Sequence, residues 1–338
     1  MDLTRLLPGA VATQQLADWG AEVIKIEEPR AGDYARAMNP AVFAYTNGAK
    51  KSVAIDLKPP HGRDLLLRLA ATADILIEGN RPGVMERLGL GYDQLHAANP
   101  RLIYCSLTGY GQSGPYAQLA GHDINYMALG GVLSLNLPVI PGVQIADLVG
   151  GSMQAVTGIL LALVARNQTG LGRHVDVSMY AGVTSLLTVP LTVWHSTGRE
   201  PAPSAEILSG SYACYNLYEA RDGRWLAVGA LEPKFWAELC CRVGCEDLVA
   251  RQFEEPQDPI KQCLASIFKT KSATEWFDAL RDTDCCVTLV RTVSEVAAEL
   301  PEPSAAPPAL GQHTREILHR FGLSSNEIEE FERQGVIR

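Results

Sequence analysis

Three segments of this 338-residue chain carry side chains suited to moving protons. In Gly121-His122-Asp123-Ile124-Asn125-Tyr126 an imidazole and a carboxylate stand side by side where a helix starts, just after a glycine-rich loop. In Ala146-Asp147-Leu148-Val149-Gly150-Gly151-Ser152 an aspartate leads into a long apolar run. In Gly229-Ala230-Leu231-Glu232-Pro233 a glutamate follows a strand and precedes a proline that suits a first helical turn. Histidine and carboxylates are the usual groups of general acid–base catalysis. Each also has a plain structural reading: a surface or hydrogen-bonded histidine, an N-cap aspartate, a first-turn acid favoured by the helix dipole.

Other patterns narrow the chemistry. Gly109-Tyr110-Gly111-Gln112-Ser113-Gly114 has the spacing of a dinucleotide-binding turn, but Pro115 follows at once. No helix of close-packed small residues opens there, and no acidic residue ends a second strand about 20 residues on, so the segment reads as a glycine-bent active-site loop. The eight cysteines include no Cys-x-x-Cys and two adjacent pairs, Cys240-Cys241 and Cys285-Cys286, which reads as free thiols rather than a zinc site. With 38 acidic against 29 basic residues the net charge is −9, which excludes a general basic field for nucleic acid or an anionic membrane. Any anionic ligand must therefore meet a local basic cluster. The longest aliphatic run, Ile159 to Ala165, is far shorter than the ~20 residues of a bilayer span. The first residues lack the pattern of a secretory signal, so the expectation is a cytoplasmic protein without a transmembrane helix.

These residues need a scaffold, and the hydrophobic pattern supplies one. Val23 to Ile26, Ser52 to Ile55, Ile75 to Ile77, Leu102 to Cys105 and Val175 to Val177 read as strands. Pro60 to Ala71 reads as a helix between them, and Asp147 to Arg166 as a long, largely buried helix ending near Gly170. Alternation of this kind predicts an α/β fold: a large doubly wound Rossmann-like domain with a parallel sheet over residues 1–195. A Gly/Pro/Ser-rich linker is placed at 196–212, followed by a smaller α+β domain over 213–299. That domain opens with a hairpin, Tyr215 to Tyr218 and Trp225 to Val228, turning through Arg221-Asp222-Gly223. Pro301, Pro303, Pro307 and Pro308 mark a second linker within 300–338, a segment expected to return to the large domain, with Ser324-x-x-Glu327 as a capping box.

Specific stretches resemble the family III CoA-transferase superfamily over nearly the whole chain, and within it the α-methylacyl-CoA racemase branch. They include Asp2 to Gly9, Leu16 to Lys25, Arg81 to Gly89 and Leu102 to Pro115. Gly121 to Tyr126 and Glu232-Pro233 mark the racemase branch, since transferases usually lack the His and the Glu. The chain opens inside the family's first motif, leaving either a short first strand or a misassigned start, and Thr288-Leu289 departs from the usual Thr-Pro. The resemblance implies an interlocked homodimer with the active site between the large domain of one subunit and the small domain of the other. It implies a CoA thioester as ligand, with Arg36, Lys58 and Arg87 on the nucleotide phosphates, although each also reads as a solvated surface cation. No cofactor is expected beyond the CoA of the substrate, and no metal.

Racemisation beside a thioester carbonyl requires a base on one face of the α-carbon and an acid on the other. The resemblance assigns His122, held by Glu232, to one face and Asp147 to the other, with the backbone N–H of Asp123 as donor to the enolate oxygen. The alternative is CoA transfer between carboxylic acids, with Asp147 attacking the thioester to form an acyl anhydride. The short Gly131 to Asp147 segment reads more like transferases, whereas His122 and Glu232 favour racemisation. A non-catalytic binding protein of the same fold is the third reading, and the three ionisable positions argue against it.

Overall fold

The computed structural model describes residues 1–300 and 306–338, so Pro301 and Pro303 of the second linker lie outside the described residues. The chain divides into two units. The first contains 1–133, 138–188 and the segment from 306 onward; the second contains 134–137 and 189–300. The division falls at Thr188, before the expected residue 195, because the apolar helix Thr188–Thr197 groups almost wholly with the second unit.

In the first unit, strands β1 (Ile24–Glu27) and β2 (Lys51–Ala54) pair in parallel, as do β3 (Ile75–Glu78), β4 (Ile103–Thr108) and β5 (His174–Ser178). Asp2 joins the two ribbons through parallel bridges to Lys25 of β1 and Ile77 of β3. Residues 1–3 thus act as the central strand, with Asp2 N donating to Ile24 O at 2.8 Å and Leu3 N to Ile77 O at 2.8 Å. Counted along the chain, the strands lie in the order third, second, first, fourth, fifth, sixth. This is the doubly wound order, whose switch point between the first and fourth strands opens a crevice at their carboxyl ends. Ile337 covers the far edge with an antiparallel bridge to Ile55.

Two expectations need correction. The long helix is real, as π-type turns over Ala146–Met153 continuing as Gln154–Thr169 and stopped by left-handed Gly170, but it is not largely buried. Ala155, Ile159 and Ala162 are buried on the side that packs on β4 and β5, whereas Met153, Leu160, Leu161 and Val164 are exposed. The apolar residues run all round the helix, so the sequence alone does not show that one side is covered. Ala146–Thr169 also spans 24 residues and includes an 18-residue window of mean hydropathy 1.9, long and apolar enough by length and composition alone to cross a membrane. The aliphatic-run argument missed this because Gly, Ser, Thr and Gln interrupt the apolar residues without making the helix polar.

Beneath the crevice lies a sealed network of charges. Lys25 Nζ is 2.9 Å from Asp33 and 3.7 Å from Asp2, and Lys50 Nζ is 3.2 Å from Asp2, all four side chains being buried. Lys50 also donates to Thr13 Oγ1 at 2.7 Å and to Asn47 Oδ1 at 2.9 Å. Burial pushes the Asp2 carboxyl up, but the two lysines outweigh it and hold the group far below the usual carboxylate range. Burial brings Lys50 down to about 8, with Asp2 opposing the shift.

The second unit carries the expected hairpin, β6 (Tyr215–Glu219) and β7 (Trp225–Gly229), to which β8 (Val287–Leu289) adds antiparallel. Leu289 occupies a paired strand position opposite Leu226, a role that needs no proline. Helices Pro233–Val243, Asp258–Phe268 and Ala273–Leu280 bury Trp236, Phe268 and Trp276 against the strands. Each indole N–H finds a carbonyl, Trp236 at Leu248 O and Trp276 at Phe268 O, both at 2.9 Å.

Candidate active site

The glycine-rich loop leaves β4 and is held at both ends. Gly111 N donates to Thr108 Oγ1 at 3.0 Å, and Gln112 N to the carboxylate of Asp176 on β5 at 3.1 Å. Gly109 and Gly121 make room for one ring: a Cβ at Gly109 would lie 2.4 Å from Tyr126 Cε1, and one at Gly121 would lie 2.8 Å from it. Tyr126 in turn donates its hydroxyl to Gly121 O at 2.6 Å and packs edge-on against Tyr110. The loop therefore delivers the chain to His122 along a fixed path.

His122 is the N-cap of the helix Asp123–Leu129, exposed, with its N–H donating to Asn125 Oδ1 at 3.0 Å. Asp123 reaches away from its own helix and accepts Asp147 N at 2.9 Å. The N-cap reading of Asp147 is thereby corrected: Asp147 lies inside the first π-type turn, and Asp123 supplies the capping oxygen. Glycines let this turn sit close to its neighbour, since a Cβ at Gly150 would lie 2.7 Å from Met179 O. The irregular i→i+5 turn is a common feature of functional sites, and it places Asp147 next to His122-Asp123 across 24 residues of chain.

The electrostatics of this trio are unbalanced. Burial raises the pKa of Asp147 to about 6, the negative charge of Asp123 adds to the rise, and His122 opposes it. A carboxyl titrating near neutrality beside an imidazole can both accept and return a proton at working pH. Glu232 stands in the second unit as N-cap of Pro233–Val243; it is exposed, and its side chain makes no capping hydrogen bond.

The basic residues separate into two kinds. Lys58 and Arg87 are exposed and line a cavity of 350 Å³ at the carboxyl ends of the central strands, with Arg5, Asn80, Met85 and Leu88 also in its wall. Arg36 lies elsewhere: its Nε and Nη2 each meet Glu27 at 2.8 Å, its Nη1 donates to Pro308 O at 2.9 Å, and its guanidinium stacks 4.1 Å over Phe43. Arg5 was missed from the sequence, although its place directly after the first strand, at the switch point, is the signal that finds it. Its guanidinium donates to Tyr34 OH at 2.8 Å.

The sequence profile of CoA-transferase family III matches residues 1–303. The chain is 36% identical to the alpha-methylacyl-CoA racemase of Mus musculus, over 97% of this chain and 93% of that one. It is 35% identical to the acetyl-CoA:oxalate CoA-transferase of Acetobacter aceti, over 90% and 82%. Among solved structures, a CAIB/BAIF family protein from Brucella suis superposes with a TM-score of 0.79 at 26% identity, covering 94% of this chain and 97% of that one. The protein Rv3272 of Mycobacterium tuberculosis gives 0.79 at 30%, covering 93% and 96%. A profile match over most of its length and relatives above 30% identity place this chain in CoA-transferase family III.

Proposed function

We propose that the protein interconverts the two α-configurations of 2-methylacyl-CoA thioesters. The observation that carries this reading is the Asp123–Asp147 contact with its shifted titration. A nucleophile that attacks a thioester gains from a carboxylate firmly ionised, whereas Asp147, titrating near 6 beside His122, suits an acid–base pair. In this mechanism one of His122 and Asp147 removes the α-proton while the other delivers a proton to the opposite face. The negative charge that develops on the thioester oxygen calls for N–H donors, and the backbone N–H of Asp123 at the helix start is assigned that role. Glu232 keeps the acid–base role that the resemblance implies, and Glu232→Gln is expected to slow α-deuterium incorporation.

The CoA nucleotide is assigned to the 350 Å³ cavity, where Arg5, Lys58 and Arg87 supply phosphate donors in a wall that also holds Glu27, Glu28 and Asp56. Arg36, committed to Glu27, is assigned a supporting role rather than direct phosphate contact. No metal or further cofactor enters the proposal.

A second reading rests on the CoA-transferase relative at nearly the same identity as the racemase: Asp147 attacks the thioester carbon and releases CoA thiolate, which then attacks the Asp147 carbonyl of the anhydride and expels the donor carboxylate. An acceptor carboxylate next displaces CoA from Asp147, and the thiolate takes the acceptor acyl group, freeing Asp147. Incubation of a single stereoisomer of 2-methylacyl-CoA in D₂O separates the two. Racemisation incorporates deuterium at the α-carbon and inverts it. Retention of the α-proton, with CoA passing to an added carboxylic acid, establishes transfer instead.

A further inference from the structure

Glu78 closes β3 at the switch point and is only 2% exposed, yet it carries a carboxylate. Burial raises its pKa, against the opposing pull of hydrogen bonds from Asn80 and Ser106, so the ionised form is held at a cost. Among the described residues no lysine or arginine pairs with it within 4.0 Å. Two of its bonds run to the turn that follows: Oε2 accepts the backbone N–H of Asn80 at 2.7 Å and the side-chain amide of Asn80 at 3.2 Å. The same amide lies 3.4 Å from Met85 Sδ. Asn80 and Met85 are both in the wall of the cavity that holds Lys58 and Arg87.

The turn itself crosses the carboxyl ends of two other strands. A Cβ at Gly79 would touch Leu107 O of β4 at 3.5 Å and Thr4 Cβ of the first strand at 4.0 Å. Left-handed Gly83 then opens the short helix Val84–Arg87, which ends in the cationic side chain of the cavity. Pro82, between the two, accepts the side-chain amide of Gln118, in the loop that leads to His122, at 3.4 Å. Residues 79–83 therefore connect the cavity wall to the loop leading to His122, and a single buried carboxylate ties down Asn80 through both its backbone and its side-chain N–H.

We propose that Glu78 is a positioning residue for the nucleotide half of CoA, acting through Asn80 by fixing the 79–83 turn that forms one wall of the cavity. This rests on the assignment of the CoA nucleotide to that cavity. Glu78 itself touches no ligand. Its removal leaves the Asn80 N–H groups without their acceptor, so the turn relaxes and the wall is no longer preorganised.

The test is calorimetric titration with adenosine 3′-phosphate 5′-diphosphate, the nucleotide half of CoA, on the full chain. Glu78→Ala is expected to weaken binding by about tenfold, the scale of one or two charge-assisted hydrogen bonds. Asn80→Ala is expected to weaken it similarly, and the double variant no further than either single one. In steady state, Glu78→Ala is expected to raise KM for the CoA thioester with kcat nearly unchanged, the mark of lost uniform binding. If Glu78→Ala fails to fold, Glu78→Asp carries the test, because it keeps the charge but withdraws the oxygens from Asn80. Wild-type affinity in these Glu78 variants, or fully additive losses in the double variant, overturns the positioning role. A wild-type protein that binds no nucleotide overturns the cavity assignment beneath it, a separate and distinguishable failure.

Discussion

Around Asp2, two carboxylates and two ammonium groups are sealed from water, and each charge faces an opposite one: Lys25 between Asp2 and Asp33, Lys50 on Asp2. Around Asp147, two carboxylates approach each other with one exposed imidazole nearby, and the half-buried member is pushed to about 6. Both clusters belong to the first unit, and both lie on segments that the family motifs cover. The first has its charges fixed by neutralisation, which holds strands and loops together. The second leaves one charge unneutralised, so its proton is free to come and go near neutral pH. Compensation accompanies structure in the first cluster, and its absence in the second is what the proposed chemistry draws on.

The sharpest way to break this contrast is Asp147→Asn. If Asp147 is part of the acid–base pair, α-deuterium incorporation in D₂O falls by about 10²–10⁴, the usual contribution of a positioned proton-transfer group. An Asp147→Asn protein that still exchanges at the wild-type rate would make the site a second structural cluster. Next in size is Asp2→Asn, which leaves Lys25 and Lys50 buried with too little negative charge. It is expected to cost about 3–5 kcal/mol in denaturant unfolding.

A smaller effect runs in the opposite direction. Because the folded-state pKa of Asp147 lies above its ordinary value of 3.8, the native state binds more protons than the unfolded chain between about 4 and 6. Ionised Asp147 therefore destabilises the fold, fully so above its folded pKa. Asp147→Asn is expected to raise stability at pH 7 by on the order of 2 kcal/mol, and the gain should vanish near pH 3.5. Thermal unfolding at the two pH values checks the sign. The smallest effect compares two arginines. Arg87→Ala should weaken nucleotide binding about tenfold with an unchanged Tm. Arg36→Ala should lower Tm, because Glu27 loses its bidentate partner, while affinity changes little.

The sequence made the repeating units of this fold legible because β-branched runs such as Ile75-Leu76-Ile77 and the Asp-Gly hairpin turn are local signals. The central strand shows in no local pattern because three residues carry no period; the family resemblance raised it only as one of two alternatives, and pairing on both sides makes it a strand. Lys25 reads as a solvent-facing residue within an alternating strand, yet all four residues of β1 are buried and its charge is balanced by acids 8 residues later and 23 earlier. The candidate acid–base residues stand out by type, but their arrangement does not. That Asp123 caps the turn of Asp147 depends on an i→i+5 geometry, which the Gly150-Gly151 pair permits without announcing it. The roles of Lys58 and Arg87 against Arg36 likewise depend on Glu27, which burial alone turns into an arginine partner.

The bridge between Ile55 and Ile337 also bears on how the protein is made. On a ribosome, β2 emerges early and its outer edge stays unpaired until Ile337 has been synthesised. The second unit, contributed largely by one continuous stretch, can close its core long before that. Nascent chains stalled between the two events should therefore expose a sheet edge next to an already folded neighbour, a state in which edge-to-edge association competes with completion. Ile337, 282 residues after Ile55, acts as the lock on the first sheet begun.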